Sequence, residues 1–170
     1  MSNLRLINET TASSSASVSV EDVFTTDFNV YKIVTNQRGI SSDTSIEGRF
    51  IDSSGTIVSS SNYDYARIMI KAWTGFGEDR NTGQTRFRSF GEASAEGASS
   101  VSYVFNPMNE TDYTYFVNSN SAVQSGDNNF NMQGIAVLKL QGAMSGINFF
   151  PDNGNAFTSF SCRVYGLRVD

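Results

Sequence analysis

Apolar positions along this chain recur with a period of two, in short runs broken by Gly, Asn and Ser. Residues 16–20 alternate strictly, so Val18 and Val20 share one face. Residues 65–73 also alternate, with Ile68 and Ile70 on one side and Arg67, Met69 and Lys71 on the other. Residues 28–34 carry apolar side chains on both faces, as a covered central strand does. Residues 4–7, 86–90, 100–105, 113–117, 135–140 and 157–169 read as further strands. Residues 46–51, the turn Asp52-Ser-Ser-Gly55 and residues 56–59 read as a β-hairpin. No stretch places apolar residues at i, i+3, i+4 and i+7 between caps, so no helix beyond a turn or two is predicted. The pattern predicts an all-β chain of roughly ten strands, a sandwich or a barrel, in a single domain over residues 1–170.

Some stretches fall outside the pattern. Residues 10–16 are small and polar and read as a loop or edge connection. Residues 73–97 are rich in Gly and mixed charge, and read as the longest irregular span. Contact surface is expected there, because function concentrates in loops on a rigid scaffold. Pro107 and Pro151 fall at strand ends or loops, where they cost no ladder hydrogen bond. Gly166 is expected to mark a bulge, since apolar parity changes near it. The final segment stays patterned almost to Asp170, as a terminus tied into a sheet does.

Composition narrows the chemistry. The chain has no histidine, which removes Ser-His-Asp and Cys-His catalysis, imidazole acid–base steps and His-ligated zinc. Cys162 is the single cysteine, so no intrachain disulfide forms. It sits among apolar neighbours and is expected in the core, not as a reactive thiol or an intermolecular bridge. A net charge of −5 with scattered Lys and Arg gives no footprint for nucleic acid or an anionic membrane. No secretory leader and no bilayer-spanning run are recognised. The expectation is a soluble protein made in a cytoplasm, reaching the outside only as part of an assembly.

Few residue clusters suggest chemistry. Glu78 and Asp79 beside Trp73 and Phe76 form a carboxylate pair of the type a glycosidase uses, but neighbours along a strand point apart. The same span could bind sugar without cleaving it. Trp73, Phe76 and Phe87 would supply flat faces, and Arg80, Asn81 and Gln84 planar polar groups. Asp127-Asn-Asn129 and Asp152-Asn-Gly-Asn155 offer oxygen ligands, but neither has the calcium-loop spacing, and turns account for both. Asn8-Glu-Thr10 and Asn109-Glu-Thr111 match the glycosylation sequon with no leader to expose them to the enzyme. Gly39 and Ile40 are followed by two serines, and no phosphate-cradling loop opens a helix. No cofactor or metal is expected.

Five segments in order carry a family resemblance. They are Leu6-Ile-Asn-Glu-Thr-Thr-Ala-Ser-Ser14, Asp22-Val-Phe-Thr-Thr-Asp-Phe-Asn-Val-Tyr-Lys-Ile33 and Ile51-Asp-Ser-Ser-Gly-Thr-Ile-Val-Ser-Ser-Ser-Asn-Tyr-Asp-Tyr-Ala66. The other two are Ile135-Ala-Val-Leu-Lys139 and the closing Val164-Tyr-Gly-Leu-Arg-Val169. In these the chain resembles small virion structural proteins of marine tailed bacteriophages, especially those infecting cyanobacteria. The match is least clear over residues 73–131. The resemblance implies a non-enzymatic virion component with a jelly-roll-like antiparallel β-sandwich, present in several copies. Its partners would be other capsid or tail proteins and further copies of itself, as a homo-oligomer such as a trimer. It would decorate and cement the capsid or form a knob on a tail or appendage. The alternative is a carbohydrate-binding module that recognises a host-surface glycan.

Overall fold

The structure, a computed structural model, describes residues 3–38, 44–93, 96–124 and 128–168. Twelve strands account for most of them, and no helix occurs among the described residues. In chain order they are β1 (Leu4–Ser15), β2 (Val18–Val20), β3 (Val30–Arg38), β4 (Thr44–Asp52), β5 (Tyr63–Lys71) and β6 (Gly75–Gln84). The second half adds β7 (Phe87–Ala93), β8 (Ala98–Phe105), β9 (Thr114–Gln124), β10 (Asn128–Leu138), β11 (Met144–Pro151) and β12 (Phe157–Leu167). They form an eight-stranded sheet, β1-β12-β3-β8-β9-β10-β5-β6, and a four-stranded sheet, β2-β11-β4-β7. Every pairing is antiparallel.

The strand order defines the topology. Strand β1 pairs β12, β2 pairs β11, β3 pairs β8 and β4 pairs β7, each pair nested inside the one before. Such a chain is one long hairpin rolled up, with its strands falling alternately into two sheets. That is an eight-stranded jelly roll. Two hairpins are inserted into it, β5–β6 between β4 and β7 and β9–β10 between β8 and β11. Both join the same edge of the larger sheet and extend it into a wing, β9-β10-β5-β6.

Between the sheets lies a run of aromatic rings. Phe87 touches Phe50, Tyr63, Phe90 and Phe116, with centroids 4.7–5.7 Å apart, and Phe149 links Phe90 to Phe160. Edge-to-face and tilted contacts at these distances add to simple burial. Tyr63 is buried with its hydroxyl satisfied, donating to Val58 O at 3.0 Å and accepting from Phe50 N at 2.9 Å. Burial pushes its phenol pKa up, outweighing the Phe50 N–H and Arg49. Another part of the interior is polar: Thr35 bonds Ser100 at 2.7 Å, and Asn118 donates to Ser102 at 2.8 Å. Buried hydroxyls and amides survive there because they have partners.

Several expectations need correction. Most of the described residues in the span 73–97 are not irregular, since they form β6 and β7. Residues 10–15 are strand, not a loop, because β1 runs on through them beside β12. Strand β11 was not among the predicted strands, and β9 and β10 are longer than predicted. Residues 56–59 supply only an isolated bridge, Ile57 to Ile51, so no full hairpin forms there. At Gly166 the β12 ladder is regular, and the irregularity lies on β1 between Leu6 and Asn8. The glycine is needed because a Cβ would stand 2.5 Å from the Phe28 ring. Pro151 ends β11 and Pro107 follows β8, as expected. Residues 39–43, Asp127, Val169 and Asp170 lie outside the described residues.

Candidate functional site

The alternation in β5 has a sense opposite to the usual one. Arg67 faces the sandwich interior and is buried, while Ile68 and Ile70 point to solvent. On the inner face Arg67 Nε donates to Asp79 Oδ2 of β6 at 3.1 Å, and its Nη1 reaches Met132 Sδ at 3.3 Å. The apolar side chains left outside join neighbours on adjacent strands. Val117 of β9 lies opposite Ile135 of β10, which lies opposite Ala66 of β5, which lies opposite Arg80 of β6. Ile70 lies opposite Phe76, and Tyr115 opposite Val137. Exposure is 78% for Phe76 and 59% for Ile135, with Tyr115, Val117, Ile68 and Ile70 between 42% and 48%. The outer face of the wing is therefore rich in exposed apolar side chains, with Gln133, Asn131 and Glu78 set among them.

A groove of about 760 Å³ runs along that face. Its floor is Ala66, Tyr115, Val117, Ile135 and Val137, and one wall is Arg80, Asn81 and Thr82. The wall owes its shape to a slip in register between Tyr63 and Tyr65. Such a bulge bends its strand. Asp64 Oδ1 accepts from Gly83 N at 2.8 Å, fixing the bend, and Gly83 takes the left-handed φ of +63° there. Lys139 Nζ sits 2.7 Å from Asp64 Oδ2. The Lys139 hydrogen bond, then the Gly83 N–H, hold the Asp64 carboxyl below its usual range. Asp64 is thus already neutralised, whereas Arg80 and Glu78 make no ion pair among the described residues.

The residues singled out from sequence divide between three places. Phe76, Glu78 and Arg80 reach the outer face, with Glu78 lining a second hollow beside Ile68 and Val117. Asp79 turns inward to Arg67, and Asn81 donates Nδ2 to Tyr65 Oη at 3.0 Å. Glu78 and Asp79 therefore stand on opposite faces of one strand and cannot flank a single glycosidic bond. Trp73 is exposed after β5, its ring edge-on to Phe130 at 6.2 Å, with Lys71 Nζ 5.7 Å above it. Gln84 bonds Thr82 O at 3.1 Å and stays outside the groove. Phe87 is fully buried in the aromatic run, so its place in an exposed recognition loop is wrong. The sequence reading missed Tyr115, Val117, Ile135, Ile68 and Ile70. Their signal was the alternation itself, once Arg67 is known to face inward.

Other polar clusters are structural in form. Glu47 is 1% exposed beneath Arg86 and Arg88, and Arg88 also reaches Asp152 at 2.5 Å. Asp152 is thereby occupied, and Asn153 Oδ1 accepts from Asn155 N at 3.0 Å in a turn. No group of three or more acidic or cysteine side chains among the described residues is arranged to hold a metal. Cys162 is buried in the core, as expected, and burial pushes its thiol up to about 12. No helix among the described residues is long and apolar enough to cross a membrane.

No protein-family model matches the chain, and no curated protein matches it. Among solved structures, a mutant alginate lyase, Aly36B, bound to an alginate tetrasaccharide aligns over 95% of this chain and 81% of its own. The identity is 8% and the TM-score 0.32. The same lyase as another mutant, with an alginate trisaccharide, covers 97% and 88% at 8% identity and a TM-score of 0.29. A structure of infectious bursal disease virus, Gx strain, covers 96% of this chain and 40% of its own at 11% identity and a TM-score of 0.15. These are similarities of low degree. The fold assignment rests on the strand order.

Proposed function

We propose that the protein is a non-enzymatic structural component of a bacteriophage virion, surface-exposed on the particle and assembled through the outer face of its wing. The observation that carries this reading is the exposed run Ile68, Ile70, Phe76, Tyr115, Val117 and Ile135. All six belong to the two hairpins that the jelly roll does not need in order to close. Clustered exposed apolar side chains of this kind are what a contact site presents. Its placement on added strands is what a scaffold adapted for assembly would have. The protein would act as a capsid decoration or as a knob on a tail or appendage, with other virion proteins as partners.

The test is binding of purified protein to emptied capsids and to isolated tails, followed by localisation of its density on the intact particle. A Val117→Glu, Ile135→Glu variant should lose binding by about tenfold or more, since buried charge is costly at such a contact. It should keep its fold, because both side chains face solvent. Undiminished binding of that variant, or no binding of the parent protein to any particle component, would overturn the reading.

The groove favours a second reading, a carbohydrate-binding module of the same virion part. Tyr115 supplies a flat exposed ring on one side of the groove and Arg80, with no ion pair among the described residues, a cation on the other. A glycan array separates the two. Host-glycan binding abolished by Tyr115→Ala would favour the module, and binding to capsids or tails with no glycan bound would exclude it.

A further inference from the structure

Strand β6 is the free edge of the eight-stranded sheet. Among the described residues it pairs with β5 alone. Alternate N–H and C=O groups along its ten residues therefore point away from the sheet. Natural edges are commonly blunted by shortness, proline, edge charges, bulges or a covering segment. This one has no proline, the charges on its outer face alternate in sign, and its ladder is regular from Gly75 to Asn81, with Phe76, Glu78 and Arg80 in succession on that face and Thr82 following in the bulge.

That succession is self-complementary. When two copies of a strand pair antiparallel about a two-fold axis normal to the sheet, opposed residues must share a face, so one residue meets its own copy at the axis. With Glu78 or Arg80 at the axis, like charges face each other. With Asp79 at the axis, Glu78 of each copy faces Arg80 of the other, twice over, and Phe76 faces Thr82. The two Asp79 carboxylates then meet on the inner face, but each already has its own Arg67 at 3.1 Å to offset the repulsion. Phe76, 78% exposed in the single chain, would be carried to the Thr82 wall of the other copy's groove, diagonal to its Arg80.

We propose that a second copy of this chain pairs β6 to β6 about Asp79, joining the two larger sheets into one continuous sheet. The pairing needs only the chain itself and does not depend on the virion reading.

Light scattering and sedimentation of the full chain test it. The protein should be a dimer in equilibrium with monomer. Glu78→Arg and Arg80→Glu should each raise the dimer Kd by about tenfold or more, because each turns two attractive cross-strand pairs repulsive. The doubly exchanged Glu78→Arg, Arg80→Glu chain should return to within about threefold of the original. Both positions are exposed, and circular dichroism of each variant verifies the fold. As a second readout, β6 amides should gain hydrogen-exchange protection as the dimer forms. A chain that stays monomeric, a trimer, an exchanged pair as weak as the single variants, or β6 amides unprotected in the dimer would each overturn the proposal.

Discussion

Gly48 lies where β4 passes beneath two phenyl rings, and a Cβ there would stand 2.7 Å from Phe90 Cε2 and 2.8 Å from Phe87 Cζ. Neither ring can swing away, because Phe50, Phe116 and Phe149 hold them on their other sides. Gly48→Ala is therefore expected to lower the unfolding free energy by about 1–3 kcal/mol. Urea denaturation reads this directly, and an unchanged midpoint would mean that the ring cluster is looser than its geometry. Cys162 gives a test of a different kind. Its thiol keeps its proton in the fold up to about pH 12, whereas the ordinary value is 9.0. The stability due to the buried thiol is fully present below pH 9 and is lost as pH rises from there towards 12. At pH 8 the native protein should not react with a disulfide reagent within minutes, while in denaturant one thiol per chain should react at once. Prompt reaction of the native protein would put Cys162 outside the core.

Among the elements, β5 with β6 best separates what sequence discloses from what it conceals. The alternation of residues 65–73 was legible, but not which face would be inside, since Ile68 and Ile70 outrank Arg67 on any hydrophobicity scale. Arg67 wins the interior because Asp79, across the ladder, and Met132 and Ser45 behind it satisfy the guanidinium. No local pattern announces that set of partners. Strand β6 was hidden for a related reason. An edge strand exposed on most of its length has no apolar alternation to display. Strand β11 was hidden because Gly146 and Pro151 look like turn residues. In the fold Gly146 lets the backbone of Val20 approach closely, and Pro151 only ends the strand. Arg67→Met should cost about 2 kcal/mol, less than a fully buried pair because Asp79 is partly exposed. A double-mutant cycle with Asp79→Asn should recover a coupling of about 1 kcal/mol. A coupling near zero would mean that the pair only fills space.

The whole molecule has an unequal construction, and its stability should be distributed accordingly. Strands β3, β12, β4 and β11 each pair on both sides and bury residues such as Tyr31, Ile33, Phe50, Ile147 and Cys162 in the space between the sheets. The outer edge of the wing is held more weakly. Strand β7 covers part of its inner face, yet β6 leans on β5 alone and has little of its length buried. Regions with few buried contacts and exposed ladder bonds open at lower free energy than the core. In dilute solution, where copies do not meet, β6 amides should exchange first and β5 amides next. Amides of β3 and β12 should persist until global unfolding. Native-state hydrogen exchange followed by mass spectrometry checks this order. Equal protection of β6 and β3 in the monomer would contradict the division into a closed jelly roll and an added wing. The predicted order also explains how a free edge can be tolerated. A strand that opens cheaply in isolation gains most from a partner, so the same ten residues would be both the least protected part of the monomer and the part most changed by assembly.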